Sequence, residues 1–172
     1  LGHDAVTILD GGQRAWLAAG KAVSTDAVAP DAVAFNVNFR PELLATAEDV
    51  AKARENGVAL IDARPESQFK GETKSGVVAR AGAVPGAKNI SQSEFYSDQD
   101  GAFVASDVIE SLVSDAGVAT DAKEITYCNT GHWASVAWFG LSEVMGNKNT
   151  AMYDGSMTEW AADPNREMVV SE

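Results

Sequence analysis

From residue 46 onward the apolar positions switch repeatedly between helical spacing and short continuous runs bounded by turn residues, the pattern of helices alternating with buried strands. Thr46 with Asp49 three residues later has the form of a capping box with aspartate in the usual glutamate place. It opens a helix through about Asn56 that ends at Gly57. Val58 to Asp62 reads as a buried strand, and Pro65 introduces a short helix around Glu66 to Phe69. Gly71 to Gly86 is a long polar loop with four glycines, followed by a short strand at Ala87 to Ile90. Ser106 is placed to cap a helix through Ala116 that stops at Gly117. A strand at 124–127, a helix at 133–145, a strand at 150–153 and a last short helix near Trp160 complete the order. Such alternation predicts an α/β fold, a parallel sheet with helices on both faces, whose ligands gather at the carboxyl ends of the strands.

The first forty residues read differently. Leu1 to Asp10, with Val6, Ile8 and Leu9 apolar, has the pattern of a strand, and Gly12 to Ala19 that of a helix. Ile8 to Gly12 with Trp16 matches Met152 to Ser156 with Trp160: a strand end, Asp-Gly-small, three residues, then Trp. The match predicts an internal duplication. Residues 1–20 would close a preceding unit, 21–40, rich in Ala, Val, Asp and Ser with Pro30, would be a linker, and 41–172 would be a complete domain. The opening strand and helix cannot bury their apolar faces alone, so they are expected to complete a partner polypeptide or to pack loosely on the unit that follows.

At 172 residues and 45% apolar composition the chain can bury one α/β core with length to spare. Its net charge of -12 argues against nucleic acid or an anionic membrane as partner, and leaves any anionic substrate to a local site. No apolar run reaches the roughly 20 residues of a bilayer span, and no charged start followed by an apolar stretch marks a leader. Cys128, the lone cysteine, forms no internal disulfide and with His3 and His132 supplies too few ligands for a zinc site.

Candidate chemistry concentrates in the run from Tyr127 to Ala134, where a strand gives way to a helix. A loop in that position turns several backbone N–H groups and the positive end of a helix dipole toward one sulfur, which favours thiolate over thiol and can hold an anion beside it. A free cysteine is often no more than a small core side chain. Asn, Thr, Gly and His are poor core neighbours, however, so Cys128 is read as a nucleophile and Asn129, Thr130, Gly131, His132 and Trp133 as the loop that holds its product.

Four segments, in order, resemble the rhodanese superfamily of sulfurtransferases: Leu60 to Arg64, Arg80 to Ile90, the Cys128 loop, and Tyr153 to Trp160. The resemblance implies a rhodanese-like sheet and, with the repeat, the tandem arrangement typical of thiosulfate and 3-mercaptopyruvate sulfurtransferases, in which the C-terminal unit carries the reactive cysteine. It also implies that Cys128 attacks the outer sulfur of a small anionic donor, becomes a persulfide and passes the sulfur to cyanide or a thiol, with no metal or cofactor. Thiosulfate is the expected donor, because the Cys-Asn-Thr-Gly-His-Trp loop resembles that of bacterial enzymes so assigned, and 3-mercaptopyruvate is the alternative. A soluble bacterial protein of cytoplasm or periplasm is expected on the same ground.

The loop departs from the family in having no Arg or Lys, and Trp133 stands where a loop arginine is common. Binding of the donor anion then falls to His132 and to Lys74 or Arg80 reaching in from the long loop, unless these two are simply solvated charges. Asp62, Arg64, Asp154 and Ser156 are read as structural, since a strand-end Asp beside an Arg commonly ties loops together by charge-assisted hydrogen bonds. Two rival functions remain. A cysteine phosphatase or arsenate reductase needs an Arg about six residues after the cysteine, where this chain has Ala134. A non-catalytic rhodanese module used for binding or regulation is the other.

Overall fold

The computed structural model describes residues 1–3 and 5–170; Asp4 of the expected opening strand and residues 171–172 at the end of the expected domain lie outside the described residues. Four parallel strands, β1 (Ala59–Asp62), β2 (Lys88–Asn89), β3 (Glu124–Tyr127) and β4 (Thr150–Met152), form one sheet in the order β2-β1-β3-β4. Ile61 pairs with Thr126 and Thr126 with Met152, and a parallel bridge from Leu44 to Met152 extends the β4 edge. The helices are α1 (Gly12–Ala18), α2 (Ala47–Lys52), α3 (Glu66–Phe69), α4 (Ser106–Asp115), α5 (His132–Phe139) and α6 (Ser156–Trp160). A π-helical turn, Gly140–Val144, continues α5.

The two-residue alternation of strands sorts the core into two layers, one on each face of the sheet. Leu60, Ile125 and Tyr127 pack with Val50, Tyr153, Met157 and Trp160 on one face. Ile61, Ala63 and Cys128 pack with Ile109, Val113, Ala134, Ala137 and Leu141 on the other. Helices therefore cover both faces, and β3, flanked by β1 and β4, is buried along its whole length. Local signals act as read at α2: the Thr46 N–H donates to Asp49 Oδ2 at 2.8 Å and the Asp49 N–H to Thr46 Oγ1 at 3.2 Å. The backbone hydrogen bond from Thr46 holds the Asp49 carboxyl below its usual range.

Two local readings are corrected. Ser106 is the first residue of α4 rather than its cap; Ala105 occupies that place, with no side-chain hydrogen bond. The expected strand at Val6 to Leu9 does not form, because no sheet edge pairs with it; Val6, Ile8 and Leu9 are each more than half exposed. The segment is held instead by polar contacts. The Phe103 N–H donates to Asp10 Oδ1 at 2.8 Å, and the Arg14 guanidinium donates to the carbonyls of Asp98 and Gln99.

Candidate active site

β3 ends at Tyr127, so Cys128 leaves the centre of the sheet at its carboxyl edge, with 1% of its surface exposed. The peptide groups on both sides of it are clamped by α6. The Cys128 N–H donates to Ser156 Oγ at 3.1 Å, the Met157 N–H to the Cys128 carbonyl at 3.0 Å, and the Thr158 N–H and Oγ1 to the Asn129 carbonyl at 3.0 and 2.7 Å. Ser156 does this from a left-handed backbone (φ 50), a strained conformation for a residue with a side chain, while donating its own hydroxyl to the Tyr153 carbonyl at 2.9 Å.

Gly131, at φ 84, turns the loop into α5. A side chain there would run into the Asp154 carboxylate and lie 3.2 Å from the Asp154 carbonyl, so position 131 requires glycine on two counts. The first bond of the helix runs from the Ser135 N–H to the Gly131 carbonyl at 2.9 Å. The N–H groups before it have no partner within the helix, and with the helix dipole they make the loop electropositive without any charged side chain. His132 and Thr130 are exposed, with Thr130 Oγ1 and His132 Nδ1 3.2 Å apart; Trp133 is half-buried in the core beneath.

At the end of β1, Asp62 and Arg64 form a buried pair. Arg64 Nε and Nη2 reach Asp62 Oδ1 and Oδ2 at 2.9 and 2.6 Å, and the Arg64 N–H caps Oδ1 at 3.0 Å. Burial alone would lower the Arg64 pKa, but the hydrogen bond and charge of Asp62 outweigh it and hold the guanidinium above its ordinary value. Arg64 also donates to the Gly82 carbonyl at 3.0 Å, and Asn89 Nδ2 bridges the carbonyls of Asp62 and Arg64 at 2.8 Å each. These contacts tie the turn after β1 to the end of β2 and to the segment that leads into it.

The two candidate anion contacts are held elsewhere. All three guanidinium nitrogens of Arg80 donate to backbone carbonyls, Nε to Ala161 at 2.9 Å, Nη1 to Arg166 at 2.9 Å and Nη2 to Asp163 at 2.7 Å. Lys74 Nζ donates to the Val78 carbonyl within its own loop at 2.9 Å. Arg80 thus fastens the segment after α6 rather than extending to the Cys128 loop. Gln68 and Thr158, by contrast, hold the loop without any signal in the sequence. Gln68 Oε1 accepts from Asn129 Nδ2 at 2.8 Å, and an isolated Gln on a four-residue helix gives no pattern by which to find it.

A parallel sheet that delivers one cysteine to a glycine-bearing loop ahead of a helix defines an α/β domain built around a thiol. The model of the rhodanese-like domain matches residues 46–163, more than half of the chain, and the chain belongs to that family. A protein of Haloferax volcanii, provisionally named a thiosulfate sulfurtransferase, is 34% identical over 166 residues, covering 92% of this chain and 57% of that protein. The sulfur carrier protein TtuD of Thermus thermophilus is 29% identical over 171 residues, covering 92% of this chain and 59% of that protein. The chain therefore spans less than two thirds of the length of these curated relatives. In fold it is similar to the wild-type structure of EanB, with a TM-score of 0.89 at 24% identity over 98% of this chain and 42% of that one.

The tandem reading is corrected by the same comparison. The family model matches a single domain at 46–163, and residues 1–40 hold α1 and no strand among the described residues. The repeated Asp-Gly-Trp pattern encodes a local device instead. In both places a turn starts a short helix whose indole N–H closes on a later carbonyl, Trp16 on Ala22 at 2.8 Å and Trp160 on Glu167 at 3.0 Å. Trp160 is buried and Trp16 is 40% exposed, so the two copies do not share a packing role. The opening segment packs loosely on the unit that follows, through the contacts of Asp10 and Arg14 with residues 98–103. Among the described residues, no helix is long and apolar enough to cross a membrane.

Proposed function

We propose that this domain transfers sulfane sulfur through a persulfide on Cys128, with thiosulfate as donor and cyanide or a thiol as acceptor. The observation that carries the reading is the placement of Cys128 at the carboxyl end of the central strand, beside the unpaired N–H groups that open α5. The Cys128 thiolate attacks the outer sulfur of thiosulfate; a new S–S bond forms, the donor's S–S bond breaks, and the electron pair leaves with sulfite. Cyanide then attacks the terminal sulfur of the anionic persulfide, thiocyanate leaves, and the thiolate is regenerated. Both the thiolate and the terminal sulfur carry negative charge, which an array of N–H donors stabilises in place and without reorganisation. The names of the Haloferax and Thermus relatives support sulfur as the cargo.

Intact mass spectrometry after exposure to thiosulfate tests the proposal. The wild-type chain should gain one sulfur atom and lose it on addition of cyanide, and alkylation of the loaded chain by iodoacetamide should fall on the terminal sulfur, giving an adduct that a thiol reductant releases. Cys128→Ser should gain none. Loading by 3-mercaptopyruvate in preference to thiosulfate would replace the donor, and a folded wild-type chain that loads from neither would overturn the reading in favour of a non-catalytic module.

A further inference from the structure

Asn129, the residue after the nucleophile, has 6% of its surface exposed and a side-chain amide with one end bonded and one end bare. Nδ2 donates to Gln68 Oε1 at 2.8 Å, while Oδ1 is buried without a partner. A buried amide atom left unbonded is costly and uncommon, which marks it as a group awaiting a partner. The backbone of Asn129 cannot move to find one, since Thr158 pins its carbonyl twice. Gln68 is fixed as well: α3 begins two residues after Arg64, whose guanidinium and N–H are both held by Asp62, and the Gln68 N–H is bonded to the Pro65 carbonyl at 2.9 Å.

Two primary amides joined by one N–H···O bond have a property that no other neutral pair in the loop shares. If both turn over about their last torsion, the bond between them survives with its direction reversed. Gln68 Nε2 then donates to Asn129 Oδ1, and the bare end of Asn129 changes from an acceptor into an N–H₂ donor. Such a donor would add to the backbone N–H groups that open α5. The cations in the flanking segments 62–80 and 156–166 each have a partner: Arg64 has Asp62, Lys70 has Glu66, Lys74 a carbonyl, Arg80 three carbonyls, and Arg166 has Glu48 and Asp163, with its Nη1 alone buried and unbonded.

We propose that the Gln68–Asn129 pair is a reversible polarity element of the Cys128 site, turning its bare amide end into a donor whenever the loop holds an anionic sulfur or the oxyanion of a bound donor. Gln68 is the positioning residue, acting through Asn129, and the inference deepens the sulfur-transfer reading on which it rests. It adds a side-chain donor to the backbone N–H groups of a loop that has no Arg or Lys, in a protein of net charge -12.

Three forms of the protein test it. Gln68→Met removes the bond, whereas Gln68→Glu keeps an acceptor for Asn129 Nδ2 but cannot donate, and so blocks the reversal. The readouts are the pH profile of Cys128 alkylation by iodoacetamide, which needs no sulfur donor, and kcat and KM with thiosulfate and cyanide. All are taken in high salt, to screen the charge added by the glutamate. Both variants should shift the alkylation profile to higher pH and lower kcat about tenfold, the size of one lost buried hydrogen bond, with a smaller change in KM. A wild-type profile in Gln68→Glu alongside an impaired Gln68→Met would overturn the reversal and leave a fixed anchor. Wild-type profiles in both would remove any role for Gln68. Should either variant fail to fold, the side-chain amide resonances of Asn129 in the wild-type chain decide. They should move on conversion of the thiol to thiolate or persulfide, and unchanged resonances would overturn the proposal. Absence of sulfur loading on the wild type is a separate outcome that bears on the proposed function alone.

Discussion

Glu124 gives the sharpest test of the energetics of this fold. It is the first residue of β3, at the end of the strand remote from Cys128, and only 1% of its surface is exposed. Oε1 accepts from Asn147 Nδ2 and from Thr150 Oγ1, while Oε2 is buried without a partner. Burial raises the carboxyl from its ordinary value of 4.5 to about 7, against the two hydrogen bonds, which oppose the shift. A carboxyl that binds its proton more tightly in the folded chain favours folding fully below the unfolded value. That advantage is lost as pH rises through the folded value. The interval from 4.5 to about 7, at about 1.4 kcal/mol per pH unit, corresponds to about 3.5 kcal/mol, of which about 3 is lost between about pH 4.5 and about pH 8.5, a large share of the 5–15 kcal/mol by which domains are typically stable.

The perturbation is Glu124→Gln, which keeps an oxygen for Asn147 and Thr150 and cannot ionise. Urea unfolding of both proteins between about pH 4.5 and about pH 8.5 should show the wild type losing about 3 kcal/mol relative to the variant. Taking the difference between the two proteins removes the contribution of every other titrating group, the two histidines included. At the acid end the two should be nearly equal, and at the alkaline end the variant should be the more stable. A difference that stays constant across the range, or a wild type that gains on the variant as pH rises, would refute the reasoning.

Arg64→Met leaves Asp62 buried without its partner and should cost about 3–5 kcal/mol in urea unfolding, part of which Asp62→Asn in the same chain should recover; an unchanged midpoint would contradict the role given to the pair. Gly131→Ala, forced to adopt φ 84 against Asp154, should lower stability by about 1–2 kcal/mol and slow sulfur loading in the mass assay. Ser156→Ala removes the acceptor for the buried Cys128 N–H and should cost about 1–3 kcal/mol, whereas Ser156→Gly relieves the left-handed strain and should cost less; the reverse order would exclude strain at this position. Arg80→Ala should leave the KM for thiosulfate near that of wild type while speeding hydrogen exchange in residues 161–166, and a large rise in KM would return Arg80 to the substrate.

What could be read in the chain, and what could not, divides along the range of the forces involved. The strands at β1 and β3, the Thr46 cap and the glycine turn into α5 are set by neighbours within a few residues, and each lies within two or three positions of its expected place. The succession of strand, glycine and helix around Cys128 is legible for the same reason, whereas the clamp that α6 puts on its peptides is not. The settings of the charged side chains are less legible. Arg80 and Lys74 read alike as cations in a polar loop, and only the return of residues 161–166 past Arg80 shows that its guanidinium fastens backbone. Glu124 stands at the expected start of β3, and no local signal marks it as buried; it is buried because β1 and β4 flank that strand on both sides. The opening strand does not form for a related reason: its pattern specifies a strand only where a sheet edge receives it, and among the described residues Val6 to Leu9 pairs with none. Polarity at the site was the hardest to see. It depends on Asn129 meeting Gln68, a contact between residues sixty-one positions apart whose side chains differ from ordinary surface amides only in being folded against each other.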